Sequence, residues 1–309
     1  MKHKKQHWIP KSYLKAWCDL NTPPYQTPYV WVFPREGGEG KNKSPKNLFY
    51  ESEMYTIIEK DGERDLYLEK ILSEIENQFT SVRRKVLYKK KPVDEESRFT
   101  ILKFIASTFS RSQQQRDHQR RQWSEMLDQM EEMKKVVLAT PPDQRKKFET
   151  LRGSGTSLAL SEVEKIAEHP LQKMMAESIL VQVELLSKLR MTILCTDNNL
   201  GFITSDAPCV WYDPEAFKRP FPYNNVGLLF ETVEITLPIA PCQLVLLTHK
   251  LQNGYIYVSD TIVDDLNRRT RAYANNFFVV NENRTKPIWF DRGKPPKDWM
   301  ERSKTLRPK

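Results

Sequence analysis

Five residues whose types support chemistry stand out in this 309-residue chain: His7, Arg111, Ser205, Asp206 and Asn267. A histidine titrates near neutrality, so His7 suits a general base or a metal ligand. The Asp206 carboxylate could bind a cation or orient an imidazole, and Arg111 could fork onto an anionic group such as a phosphate. Gathered in one cleft, these residues would make a hydrolase-like site for a phosphate-containing or nucleic-acid substrate, with room for a divalent metal ion as cofactor. Against that reading, one clear carboxylate is thin for a two-metal nuclease, which wants several acidic or histidine ligands. No His-Glu-x-x-His, nucleophile elbow or phosphate loop occurs, and Gly37-Gly38-Glu39-Gly40-Lys41 has neither the loop spacing nor the hydroxyl after its lysine.

Each of these residues also has a structural reading. Thr204, Ser205 and Asp206 would cap a turn, Asn267 would tie down a strand end, and His7 would hydrogen-bond the local backbone or Asp206. A third possibility is a non-catalytic module that binds nucleic acid, another polyanion or a protein partner. Ser110 to Gln122 has no apolar residue and holds Arg111, Arg116, Arg120 and Arg121. Arg116 and Arg120 lie four apart, on one helical face, as phosphate contacts would require. A solvated surface is the plainer account of that run. An aromatic stretch from Phe217 to Tyr223 could cover a pocket.

The elements that must position these groups follow from periodicity. Phe202-Ile203 runs into Thr204-Ser205-Asp206 and then Pro208, so a buried strand ends and the chain turns. His7-Trp8-Ile9-Pro10 leads into a short helix with Tyr13, Leu14 and Trp17 on one face. Tyr29 to Phe33 reads as a strand. Leu66 to Tyr88 reads as a helix, with Glu69, Glu74 and Glu76 on its solvated side. A further helix carries Phe99, Leu102, Ile105 and Phe109, and its pattern resumes after the arginine run. Leu171 to Leu189 is apolar almost all round, which suggests a buried central helix. From Met191 the period becomes that of strands, with a hairpin turn at Asp197-Asn198-Asn199 and a half-exposed strand at Glu231 to Pro238. A helix over 260–275 and a strand over 277–280 close the pattern.

Composition sets the outer limits. With 39% hydrophobic residues the chain can build a core, and a net charge of +9 permits a polyanionic partner without requiring one. Part of that charge sits in Lys2 to Lys5 and Arg302 to Lys309. Cys18, Cys195, Cys209 and Cys242 have neither zinc-site spacing nor a close pair, so free thiols in a reducing, cytoplasmic setting are expected. No run of about 18 apolar residues occurs, so no membrane span is expected.

The segments, taken in order, resemble a known family. They are His7-x-x-Pro10-x-x-Tyr13-Leu14, Glu51 to Tyr55, Glu69 through Ile75-Glu76-Asn77-Gln78-Phe79, and Phe104-Ile105-Ala106 leading to Arg111. They continue with Ile203-Thr204-Ser205-Asp206-Ala207-Pro208, Leu237-Pro238-Ile239-Ala240-Pro241 and Leu266-Asn267. Together they are similar to the uncharacterised bacterial family called domain of unknown function 4238, over Lys5 to Asn281. Trp17, where the family usually has phenylalanine, and Ser112, where it usually has threonine, depart from the pattern. No activity comes with the resemblance. The expected architecture is a single α+β domain: a mainly antiparallel sheet over 191–281, a layer of long helices over 66–189, and a basic tail over 282–309. The N-terminal helix is expected to dock near the Asp206 turn.

Overall fold

The computed structural model describes residues 5–19, 22–23, 25–58, 63–141, 160–221, 223–250 and 253–291. The N-terminal part supplies β1 (Lys5–His7), α1 (Lys11–Leu14), β2 (Val30–Pro34), β3 (Lys41–Lys43), β4 (Tyr50–Ser52), β5 (Ile57–Ile58) and β6 (Arg64–Asp65). The helices follow: α2 (Tyr67–Val82), α3 (Glu95–Ser110), α4 (Gln113–Ala139), α5 (Leu160–Glu168) and α6 (Pro170–Ser187). Then come β7 (Arg190–Cys195), β8 (Thr204–Ser205), β9 (Val210–Tyr212), β10 (Glu234–Ala240), β11 (Gln243–Thr248), β12 (Gly254–Tyr257), α7 (Asp260–Tyr273) and β13 (Phe277–Val280). Three features that the sequence suggests lie outside the described residues: a flexible connector at Arg152 to Ser157, a turn at Lys60-Asp61-Gly62 and the terminal basic run from Arg302 to Lys309.

The fold is α+β. A five-stranded sheet has the order β12-β7-β11-β10-β9, antiparallel except where β12 runs parallel to β7. A four-stranded antiparallel sheet has the order β3-β2-β13-β8, so N-terminal strands share a sheet with the C-terminal half. β1 and β4 form a separate antiparallel pair. One face of the larger sheet meets the helices. α2 buries Leu68, Leu72, Ile75 and Phe79, and Phe79 stacks on Phe104 of α3 with ring centroids 3.7 Å apart. The other face is covered by α7, through Ile262, Val263 and Leu266 against Leu244 and Leu246. Full burial of side chains this size contributes about 1.5–3 kcal/mol each, so apolar layering outweighs local propensity in setting these elements.

Several expectations are corrected. β7 and β8 are not a hairpin, because β7 pairs with β11 and β12 while β8 pairs with β13; Asn198 instead accepts from the Leu200 and Gly201 amides and redirects the chain between sheets. β10 is buried along its whole length, because the polar side that should face water finds partners: Glu234 pairs with Arg269 at 2.5 Å. α6 buries one face only, and Leu180 is 63% exposed. The helical pattern is interrupted at Arg111, which leaves the helix at the end of α3, and Ser112 then caps α4 by accepting from the Gln115 amide. Residues 282–291 are not a tail: Trp289 is buried and donates to Asp264.

Candidate anion-binding site

The Thr204–Asp206 turn is built into the core. Asp206 is fully buried, and its carboxylate brackets the link between α7 and β13. Oδ1 accepts from the Asn275 amide at 2.7 Å, and Oδ2 accepts from the Asn276 and Phe277 amides at 2.8 and 3.0 Å. Its own amide donates to the Phe277 carbonyl at 3.0 Å. Burial raises the carboxyl above its ordinary value, and the three amides pull it back. Ser205 Oγ accepts from the Ala207 amide, and Asn267 holds the preceding segment by accepting from Ile203 N and donating to Gly201 O. Gly201 has φ +57° and a Cβ there would meet the Pro241 carbonyl oxygen at 2.0 Å, so only glycine fits.

The N-terminal segment docks on this turn. The Trp8 indole donates to Asp206 O, the Trp17 indole donates to Phe202 O, and the Tyr13 hydroxyl donates to Pro238 O at 2.6 Å. With its one proton thus used, Tyr13 accepts from the Thr204 hydroxyl at 2.7 Å. Arg83, in a π-helical turn that ends α2, donates to the Ser12, Tyr13 and Ile239 carbonyls. His7 does not join Asp206. Its ring lies over Tyr50, and Nε2 reaches the Lys46 carbonyl at 3.3 Å, so Nε2 carries the proton.

Tyr55 links the His7 segment to Arg111. The Tyr55 hydroxyl donates to the His7 carbonyl at a long 3.4 Å, and the Arg111 guanidinium acts on both the Tyr55 phenol and the His7 imidazole. Arg111 is wholly buried. Its Nη1 donates to Glu76 Oε1 at 2.7 Å, whereas Nε and Nη2 have no hydrogen-bond partner among the described residues; the Tyr55 hydroxyl lies close without completing a bond. Nε and Nη2 share one edge of the guanidinium plane, the edge that grips a carboxylate or phosphate with two parallel N–H bonds. Leaving buried charged donors unmade costs about 1–3 kcal/mol each, and a protein that only needed to pack this space would place an apolar side chain there.

Several elements converge on that edge. Gln6 of β1 accepts from the Tyr55 amide and donates to Thr56 and Glu69, which fixes the Tyr55 turn. β4 places Glu51 against Arg116 in the first turn of α4. Among the described residues, two of the three non-glycine residues with left-handed backbone, Phe49 (φ 52°) and Glu53 (φ 57°), bracket β4, and such strain gathers at functional sites. Two carboxylates near this edge are partly open and paired with arginines: Glu76 with Arg111 and Glu51 with Arg116, their side chains 24% and 38% exposed. Burial lowers the His7 pKa to about 4, against the Lys46 carbonyl, and the charges of Lys11, Lys5 and Arg111 lower it further. The Tyr55 phenol is raised by burial, with Arg111 opposing. At neutral pH His7 is therefore uncharged, with Nδ1 free of any described partner.

Sequence reasoning misses Glu51, Tyr55 and Glu76 as candidate site residues, and Glu76 and Glu69, expected on a solvated face, are partnered by Arg111 and Gln6. The available signal was that Glu51 to Tyr55 and Glu76 to Phe79 are segments that carry the family resemblance. Among the arginines expected on one face, Arg116 is spent on Glu51 and Asp117, while Arg120 and Arg121 are exposed. Elsewhere, a cleft of about 490 Å³ is lined by Arg35, Arg268, Arg271 and Phe290, but Arg271 donates to the Trp289 and Arg35 carbonyls and Arg268 to Asp265. Among the described residues no three His, Cys, Asp or Glu side chains cluster as metal ligands, and no helix is long and apolar enough to cross a membrane. Cys195 and Cys209 are buried free thiols, Cys18 is half-buried and Cys242 is exposed.

No protein of curated function and no solved structure is detectably similar to the chain. The model of one family, described as "Protein of unknown function (DUF4238)", matches residues 5–285, a span that takes in both the Asp206 turn and the Arg111 cluster, and the chain belongs to that family.

Proposed function

We propose that the chain binds a phosphate-bearing ligand at the His7–Tyr55–Arg111 cluster and acts on it as a hydrolase-like protein. One observation carries the reading: among the described residues no acceptor completes a hydrogen bond to the Nε/Nη2 edge of the buried Arg111 guanidinium, and only the Tyr55 hydroxyl lies beside it. In this scheme the fork takes two phosphoryl oxygens and offsets charge that grows on them. A water molecule attacks phosphorus and gives its proton to His7 Nδ1, while Nε2–H stays on the Lys46 carbonyl. As the new P–O bond forms, the ester P–O bond breaks and the departing alkoxide takes a proton from solvent water, while His7 Nδ1 returns the proton it took to solvent, which its lowered pKa favours. Asp206 takes no part, because both its oxygens are engaged by backbone amides.

The alternative of a nucleic-acid-binding face on α4 has less behind it. That helix carries five basic and five acidic residues, so it has no net charge as a whole, and Arg116 of the arginine run is already held by Glu51 and Asp117. Calorimetric titration with inorganic phosphate tests the proposal, with hydrolysis of p-nitrophenyl phosphate as the second readout. Wild type should bind phosphate, Arg111→Met should weaken it at least about ten-fold, and His7→Gln should lower turnover more than binding. Equal phosphate affinity in wild type and Arg111→Met would overturn the reading.

A further inference from the structure

Resting on that reading, we infer that the site takes a terminal phosphoryl group, a phosphomonoester on a small molecule or at a chain end, and rejects internal phosphodiesters. The Arg111 side chain is 1% exposed and Tyr55 is buried beside it, so the fork lies at the inner end of the site and the half-open carboxylates Glu51 and Glu76 mark its rim. A ligand reaching the fork must lead with the group that binds. A monoester has three unsubstituted oxygens. Two match the Nε/Nη2 edge, and the third suits the Tyr55 hydroxyl, whose present bond to the His7 carbonyl, at 3.4 Å, is too long to hold it firmly. A diester has only two such oxygens and two chains that must leave the site. The second chain would have to leave past Glu51 and Glu76, which are held in place by Arg116 and Arg111, and Arg116 is already committed to Glu51 and Asp117, so no free cation meets a further phosphate there among the described side chains.

The test compares phenyl phosphate with methyl phenyl phosphate by calorimetry on the full chain, in wild type, Arg111→Met and Arg111→Lys. Arg111→Lys keeps the charge without the fork, so an Arg111→Met protein that fails to fold does not leave the question open. Phenyl phosphate should bind at least about ten-fold more tightly than the diester in wild type, and either variant should shrink that preference. Equal binding of both esters, lost in the variants, would overturn this inference while leaving the phosphate site intact. Binding that neither substitution changes would overturn both.

Discussion

Asp206→Ala should be among the most damaging substitutions in the chain, and it should act on stability rather than on ligand binding. The carboxylate accepts from three amides, at 2.7, 2.8 and 3.0 Å, in a site almost closed to water. Removing it leaves three buried N–H groups without an acceptor, at about 1–3 kcal/mol each. Relief from burying a charge, visible as the upward pressure on its pKa, returns part of this. A net loss of about 3–5 kcal/mol follows, a large share of the 5–15 kcal/mol that holds typical domains together. Asp206→Asn should lose less, since one carboxamide oxygen still accepts. Urea unfolding followed by circular dichroism reads the difference directly. A loss below about 1 kcal/mol for Asp206→Ala would refute the bracket, and loss of phosphate binding in a protein of normal stability would return Asp206 to the chemistry.

Other outcomes follow from the same geometry. Gly201→Ala should cost at least about 2 kcal/mol in the same unfolding assay, because its φ is left-handed and the added Cβ would strike the Pro241 carbonyl. Tyr13→Phe should cost about 1–3 kcal/mol, since it leaves Thr204 and the Pro238 carbonyl without their partner. Arg111→Met should change stability by no more than about 1 kcal/mol, as the partly exposed Glu76 can rehydrate and two orphaned donors vanish; a loss above about 3 kcal/mol would mark Arg111 as structural. His7 has a folded pKa of about 4 against 6.5, so the unfolded chain binds more protons between those values. Stability should be full above pH 6.5 and decline as pH falls towards 4, by about 1–2 kcal/mol once partial exposure is allowed for. His7→Gln should flatten that part of the stability profile.

Much of the frame was legible in the sequence because it rests on local pattern. The α2 stripe, the strand run from Met191 and the docking of Tyr13 and Trp17 near residues 202–206 follow from apolar spacing and from segment order. The sheet topology was not legible. The Asp197–Asn199 turn looks like a hairpin locally, and only the pairing of β8 with β13 shows that the chain changes sheets there. The candidate site was half legible. His7 and Arg111 were named, but Asp206 was set beside them, when its carboxylate is used by amides some seventy residues away in sequence. Glu234 and Glu76 read as surface charge because a single sequence does not reveal which arginine will meet them. Ion pairs between distant residues leave no periodic trace.

The most direct measurement is the pH titration of the His7 imidazole by NMR, with and without inorganic phosphate, in wild type and Arg111→Met. A phosphate held on the Arg111 fork would bring negative charge close to an imidazole that now feels only cations. The His7 pKa should then rise from about 4 by at least about one unit in wild type and stay put in Arg111→Met. A His7 pKa that ignores phosphate, or that rises equally in both proteins, would contradict the assignment of this cluster as the anion site.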